Sequence, residues 1–138
     1  MKRKILIVED TPAIALVQKH IALKVGYEVD VAETLANTNI LISKNNYFCD
    51  VVDFILPDAP MGEAIPCTVD AEIPTIVMTG NIDKKTRDTV EKFPIIDYII
   101  KENKQAYQYL EKQLKRLPRN ESVKVLVVDD SISTRHYI

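Results

Sequence analysis

Glycine is scarce in this chain, which has only Gly26, Gly62 and Gly80. No glycine-rich turn can cradle a phosphate chain, which argues against a nucleotide-binding enzyme of doubly wound fold. Cysteine is nearly absent. Cys49 and Cys67 show neither metal-ligand spacing nor the number needed for a disulfide framework. Free thiols point to the cytoplasm as the default compartment. No apolar run approaches the roughly 20 residues that cross a bilayer. The start, Met1-Lys2-Arg3-Lys4 followed by four apolar residues, resembles a signal peptide, but Glu9-Asp10 ends the apolar stretch too early. Basic charge is not in excess either. The 18 basic and 20 acidic residues give a net charge of −2, so nothing in the balance favours nucleic acid.

What is present suits a globular domain. The chain has 138 residues, 46% of them hydrophobic and 28% charged, enough for one core of ordinary size. Short runs rich in Ile and Val recur at 5–8, 27–31, 49–54, 75–78 and 95–100. Each is too short for a typical helix and reads as a buried strand. Helical signals fill the gaps. Thr11-Pro12 is a cap followed by proline at the first helical position, Ile14, Val17, Ile21 and Val25 mark one face, and Gly26 is a stop. Weaker helices are expected at 35–44 and 83–93, the latter with Ile82, Val90 and Phe93 near one stripe. The segment 57–74, with four prolines, allows only a short helix near 62–70. Asn103 caps a last helix carrying Tyr107, Leu110, Leu114 and Leu117, which Pro118 is expected to end. Alternating strands and helices imply an α/β doubly wound parallel sheet, with its site at the carboxyl ends of the strands.

The chemically suggestive side chains fall at those ends. Glu9 and Asp10 follow the first strand, Asp53 ends the third, Thr79 the fourth and Lys101 the fifth. Three carboxylates in one crevice repel one another. A hard divalent cation such as Mg²⁺, which takes oxygen ligands, removes the problem. One carboxylate can then act as a nucleophile toward a phosphoryl group. Lys101 would supply positive charge to the phosphoryl oxygens, and Thr79 a donor hydroxyl. Gly80 leaves room beside the backbone. Singly, most have a plainer reading: Glu9-Asp10 as helix-end acids, Thr79-Gly80 as a turn, Lys101 as a solvated strand-end lysine. Their joint occurrence in this order outweighs it.

Over about residues 3–117 the sequence resembles the receiver domains of two-component response regulators. The matching segments are Ile5-Leu6-Ile7-Val8-Glu9-Asp10, Gly26-Tyr27-Glu28-Val29, Asp50-Val51-Val52-Asp53-Phe54-Ile55-Leu56-Pro57-Asp58, Pro74-Thr75-Ile76-Val77-Met78-Thr79-Gly80 and Asp97-Tyr98-Ile99-Ile100-Lys101. The resemblance implies a five-stranded parallel sheet in order 2-1-3-4-5. It implies Asp53 as phosphoacceptor and Mg²⁺ held by Asp10, Asp53 and the Ile55 carbonyl, with Glu9 acting mostly through water. Thr79 and Lys101 would hold the phosphoryl oxygens, and Tyr98 would be the aromatic whose rotamer follows Thr79. The implied donor is a phosphohistidine on a sensor histidine kinase or a phosphotransfer protein. The domain is then a regulatory phosphoacceptor rather than an enzyme, and homodimer formation is compatible with it. The alternative is a receiver-like interaction module that works without phosphate. Two features depart from the family pattern. Glu102 stands where proline usually follows the lysine, and Ala59-Pro60-Met61-Gly62 with Pro66 replaces a regular third helix.

Lys4-Ile5-Leu6-Ile7-Val8-Glu9-Asp10-Thr11 also matches Lys124-Val125-Leu126-Val127-Val128-Asp129-Asp130-Ser131, 120 residues later. The expected organisation is a receiver domain at 1–117, a linker at 118–122 and the truncated start of a second receiver at 123–138. That lone strand would be disordered, or dock on a sheet edge or a neighbouring chain. An output domain would follow: a cyclic-dinucleotide synthase, another enzyme or a DNA-binding domain. His20, His136, Cys49, Tyr107 and Tyr109 are assigned no chemistry. Lys112, Lys115, Arg116 and Arg119 are read as complements to a helix dipole.

Overall fold

The computed structural model describes residues 2–80 and 83–122. Strands and helices alternate as β1 (Lys4–Val8), α1 (Pro12–Val25), β2 (Glu28–Ala32), α2 (Leu35–Lys44), β3 (Cys49–Val52), α3 (Ala64–Asp70), β4 (Thr75–Thr79), α4 (Lys84–Glu91), β5 (Asp97–Ile100) and α5 (Lys104–Ser122). The five strands are all parallel, in the order β2-β1-β3-β4-β5. This is the doubly wound sheet expected from the sequence.

The side-chain alternation of a strand splits the core into two layers. Leu6, Val8, Val52 and Val77 face one way and pack with Ala64, Ile65 and Val90 of α3 and α4. Ile5, Ile7, Val51, Ile76 and Met78 face the other and pack with Ala22 of α1 and Ala106, Leu110 and Leu114 of α5. Because both faces are covered, β1 and β4 read as near-continuous apolar runs, whereas the edge strand β2 carries Glu28 and Asp30 and β3 carries Asp50.

The helix ends follow ordinary capping chemistry. Gly26 closes α1 at φ 113°, a left-handed conformation that costs glycine little. Asp83 accepts from the Thr86 N–H at 2.7 Å, and Asn103 accepts from Gln105 N–H at 2.9 Å.

Three expectations need correction. Val17 is 44% exposed, and the sheet-facing side of α1 is built from Ala15, Gln18 and Ala22. Small residues there let the helix lie close to the strands, and Gln18 reaches Met78 Sδ at 3.4 Å. Pro118 does not end α5, which continues to Ser122. A proline cannot donate to the carbonyl four residues back. Here that carbonyl, on Leu114, accepts from the Tyr27 hydroxyl at 2.7 Å instead. Finally, Thr11 sits at the N-cap of α1 without a side-chain cap bond. The second copy expected at 123–138 lies outside the described residues, as do Ile82 and His136.

Candidate functional site: an acidic crevice at the carboxyl end of the sheet

Chain direction reverses in sheet order between β1 and β3, since α1 leads to β2 on one side and α2 leads to β3 on the other. Loops diverge at such a switch point and leave a crevice. The strand ends are held level there. Glu9 N–H donates to Ala32 O at 2.9 Å, Asp53 N–H to Val8 O at 2.8 Å, and Lys101 N–H to Thr79 O at 2.8 Å. Each bond extends a strand ladder by one residue, so the residues that follow β1, β3 and β5 emerge side by side.

The side chains converge as the sequence implied. One carboxylate oxygen each from Glu9, Asp10 and Asp53 lies within 4.8 Å of the others. Lys101 Nζ donates to Glu9 Oε1 at 2.7 Å and stands 3.2 Å from Asp53 Oδ2. Thr79 is 1% exposed at the end of β4. A cleft of about 450 Å³ is lined by Ile14, Asp53, Ile55, Thr79, Gly80 and Lys101. A hollow of about 530 Å³ lies elsewhere, bordered by Lys2, Arg3, Lys4, Asn46, Tyr47 and Phe48; it contains no carboxylate.

Charge explains the local pairing. Burial pushes the Glu9 carboxyl above its usual range; the Lys101 hydrogen bond opposes this, and the Asp53 charge adds to it. Burial alone would lower the Lys101 ammonium, but its bond to Glu9 and the nearby Asp53 charge outweigh that and raise it. Three carboxylates against one ammonium leave the crevice short of two positive charges. That deficit and an all-oxygen donor set fit a hard divalent cation.

Glu9 has two donors against it. It accepts from Lys101 and also, through Oε2, from the Thr11 N–H at 3.2 Å. Tyr98 is half-buried against the layer that holds α3 and α4, where burial raises its hydroxyl pKa, with Arg87 opposing and Asp83 adding to the shift. No cis peptide bond occurs among the described residues, so Glu102 follows Lys101 through a trans link. Sequence reasoning named Ile14 only as part of the α1 face, whereas the structure also puts it among the residues that line the cleft with Asp53. Sequence reasoning passed over Asp58, which lies beyond Pro57 and bonds to the start of α2.

No family model and no curated protein matches the chain. Solved structures do. Two assigned to two-component system response regulator/GGDEF domain proteins are each 35% identical and superpose with TM-scores of 0.81 and 0.78. Both matches cover 98% of this chain and 55% of the other, so the chain spans about half the length of these relatives. A CheY-like response regulator receiver domain protein from Methanospirillum hungatei JF-1 is 26% identical with a TM-score of 0.75, covering 88% of this chain and 98% of that one.

Proposed function

We propose, from the premise that this chain is a CheY-like receiver domain of the two-component response regulators, that Asp53 accepts a phosphoryl group from a phosphohistidine in a Mg²⁺-dependent reaction. The observation that carries the reading is the convergence of Glu9, Asp10 and Asp53 beside Lys101 at the switch point of the sheet.

Asp10, Asp53 and the Ile55 carbonyl would hold Mg²⁺, with Glu9 acting mostly through water; the ion would supply the missing positive charge to the carboxylates and to the phosphoryl oxygens. A carboxylate oxygen of Asp53 attacks phosphorus as the donor's N–P bond breaks. An O–P bond forms, and the electron pair stays on the imidazole nitrogen. Lys101 exchanges its contact with Asp53 for a phosphoryl oxygen, while the Thr79 hydroxyl donates to another. The Ile14 and Ile55 side chains bound the cleft with hydrocarbon and limit the water that reaches the acyl phosphate.

The domain is thus a regulatory phosphoacceptor, with at most its own phosphorylation and dephosphorylation as chemistry. Tyr98 follows the state of Thr79 and passes it to the α4–β5 face as a population shift. The donor is a sensor histidine kinase or a phosphotransfer protein. We further propose a second receiver beginning near residue 123, a downstream output domain and a cytoplasmic location, readings supported by the repeat of the first strand and by the GGDEF-containing relatives. No described helix is long and apolar enough to cross a membrane. The test is labelling by acetyl phosphate with and without Mg²⁺, read by intact mass. One added phosphoryl group that needs Mg²⁺ and is lost in Asp53→Asn is expected. No addition under any condition would move the reading to an interaction module that works without phosphate.

A further inference from the structure

One candidate ligand in the crevice cannot adjust by turning a side chain. Glu9, Asp10 and Asp53 present oxygens on rotatable stems, whereas the Ile55 oxygen belongs to the main chain. Its position is therefore set by the path of the loop after Asp53. That loop is closed on itself: Leu56 and Ala59 exchange backbone hydrogen bonds, both 3.1 Å, and both residues are buried. A closed turn still needs an anchor to the body of the domain. Asp58, at its tip, provides one. Its Oδ1 accepts from the Leu35 N–H at 2.8 Å and its Oδ2 from the Ala36 N–H at 3.1 Å, 23 and 22 residues away in sequence.

These bonds go beyond what α2 needs for a cap. Thr34 already caps the helix from its own side, its Oγ1 accepting from Asn37 N–H at 3.0 Å. Asp58 instead uses the next two unpaired N–H groups, and the positive end of the helix dipole, as a fixed post. The two backbone bonds lower its carboxyl pKa.

We propose that Asp58 is a positioning residue for the metal: by clamping the 55–59 loop to the first turn of α2, it fixes the Ile55 carbonyl where a divalent cation can use it. The inference rests on the reading of the crevice as a Mg²⁺ site. Outer partners that orient a ligand typically change metal affinity by about 10–100-fold when removed. A backbone ligand with one anchor lost should fall at the lower end of that range.

The experiment is calorimetric titration of Mg²⁺ into the full chain, as wild type, Asp58→Ala, Asp58→Asn and Thr34→Ala, each checked for folding by urea titration. Asp58→Ala should weaken Mg²⁺ binding by about tenfold. Asp58→Asn keeps one acceptor oxygen and should recover part of the loss. Thr34→Ala removes a cap from the same helix end, so it should lower the urea midpoint and leave Mg²⁺ affinity within about twofold. Unchanged affinity in Asp58→Ala, or an equal loss in Thr34→Ala, would overturn the proposal. If Asp58→Ala does not fold, Asp58→Asn decides: weaker Mg²⁺ binding supports the clamp, and wild-type affinity overturns it. Absence of Mg²⁺ binding by the wild type would instead overturn the metal reading on which the clamp depends.

Discussion

Asp50 sits in the middle of β3 with both carboxyl oxygens buried and without a hydrogen-bond partner among the described residues. Burial raises its pKa well above the ordinary aspartate range, and the Thr75 and Thr68 hydroxyls beside it oppose the shift only in part. Those hydroxyls have other uses: they lie 3.0 Å apart, and Thr75 donates to Ile73 O at 2.9 Å while Thr68 donates to Ile65 O at 3.1 Å. An acid whose folded pKa lies above its unfolded one binds more protons when folded. Its stabilising contribution is complete below the unfolded pKa and is lost as pH rises toward the folded one. Metal-free protein should therefore lose stability as pH rises above the ordinary aspartate range. Asp50→Asn, which cannot ionise, should flatten that slope, as urea midpoints measured against pH will show. At the same scale, Lys101→Ala leaves Glu9 and Asp53 facing each other in a buried crevice. Breaking a buried pair from one side costs about 3–5 kcal/mol. Protonation of Glu9 should keep this case at or below the lower figure, and urea denaturation at neutral pH measures it.

At the scale of elements, α5 and the loop before α3 depend on contacts that sequence spacing does not reveal. Pro118 removes a helix donor, and Tyr27, just before β2, satisfies the Leu114 carbonyl. Tyr27→Phe should cost about 1–3 kcal/mol by leaving that carbonyl unpaired. Pro118→Ala restores an in-helix donor, so it should stabilise the protein and remove most of the cost of Tyr27→Phe in the double variant; a urea-based double-mutant cycle reads this coupling. Gly62 is a second such point. Its φ is 82°, and a Cβ there would stand 2.5 Å from Phe54 Cε2. Gly62→Ala should destabilise by about 1–3 kcal/mol through this overpacking, with more from the left-handed backbone.

Local signals made most elements readable. The span of α2, the cap at Asn103 and the stop at Gly26 all follow from residues acting within one turn of themselves. The run of α5 through Pro118 was not readable, because the donor that makes the proline tolerable comes from 87 residues away. The burial of Gln18 in place of Val17 was hidden for a similar reason. A helix lying on a sheet needs small residues beneath it, and hydrophobic periodicity alone does not weigh size.

For the whole molecule, the parallel sheet does the assembling. It brings residues 9, 53, 79 and 101 to one edge, and their order along the chain was enough to foresee the crevice. Whether Glu9 faces Lys101 or water is decided by burial, which the sequence does not state. A domain built with an uncompensated acidic crevice should be stabilised by the ion that fills it. Mg²⁺ at about a hundred times its Kd should add roughly 2.7 kcal/mol. Asp10→Asn should remove most of that gain, which thermal unfolding with and without Mg²⁺ can follow.

The central claim is that the phosphoryl group resides on Asp53 as a mixed anhydride. An acyl phosphate is cleaved by neutral hydroxylamine and leaves a hydroxamate on the carboxyl group that carried it. The chain should be phosphorylated with acetyl phosphate and Mg²⁺, treated with hydroxylamine, digested and mapped by peptide mass. The account predicts a hydroxamate at Asp53 alone, absent when Mg²⁺ is withheld. A phosphoryl group that survives hydroxylamine, or a hydroxamate at Glu9 or Asp10 instead, would contradict it.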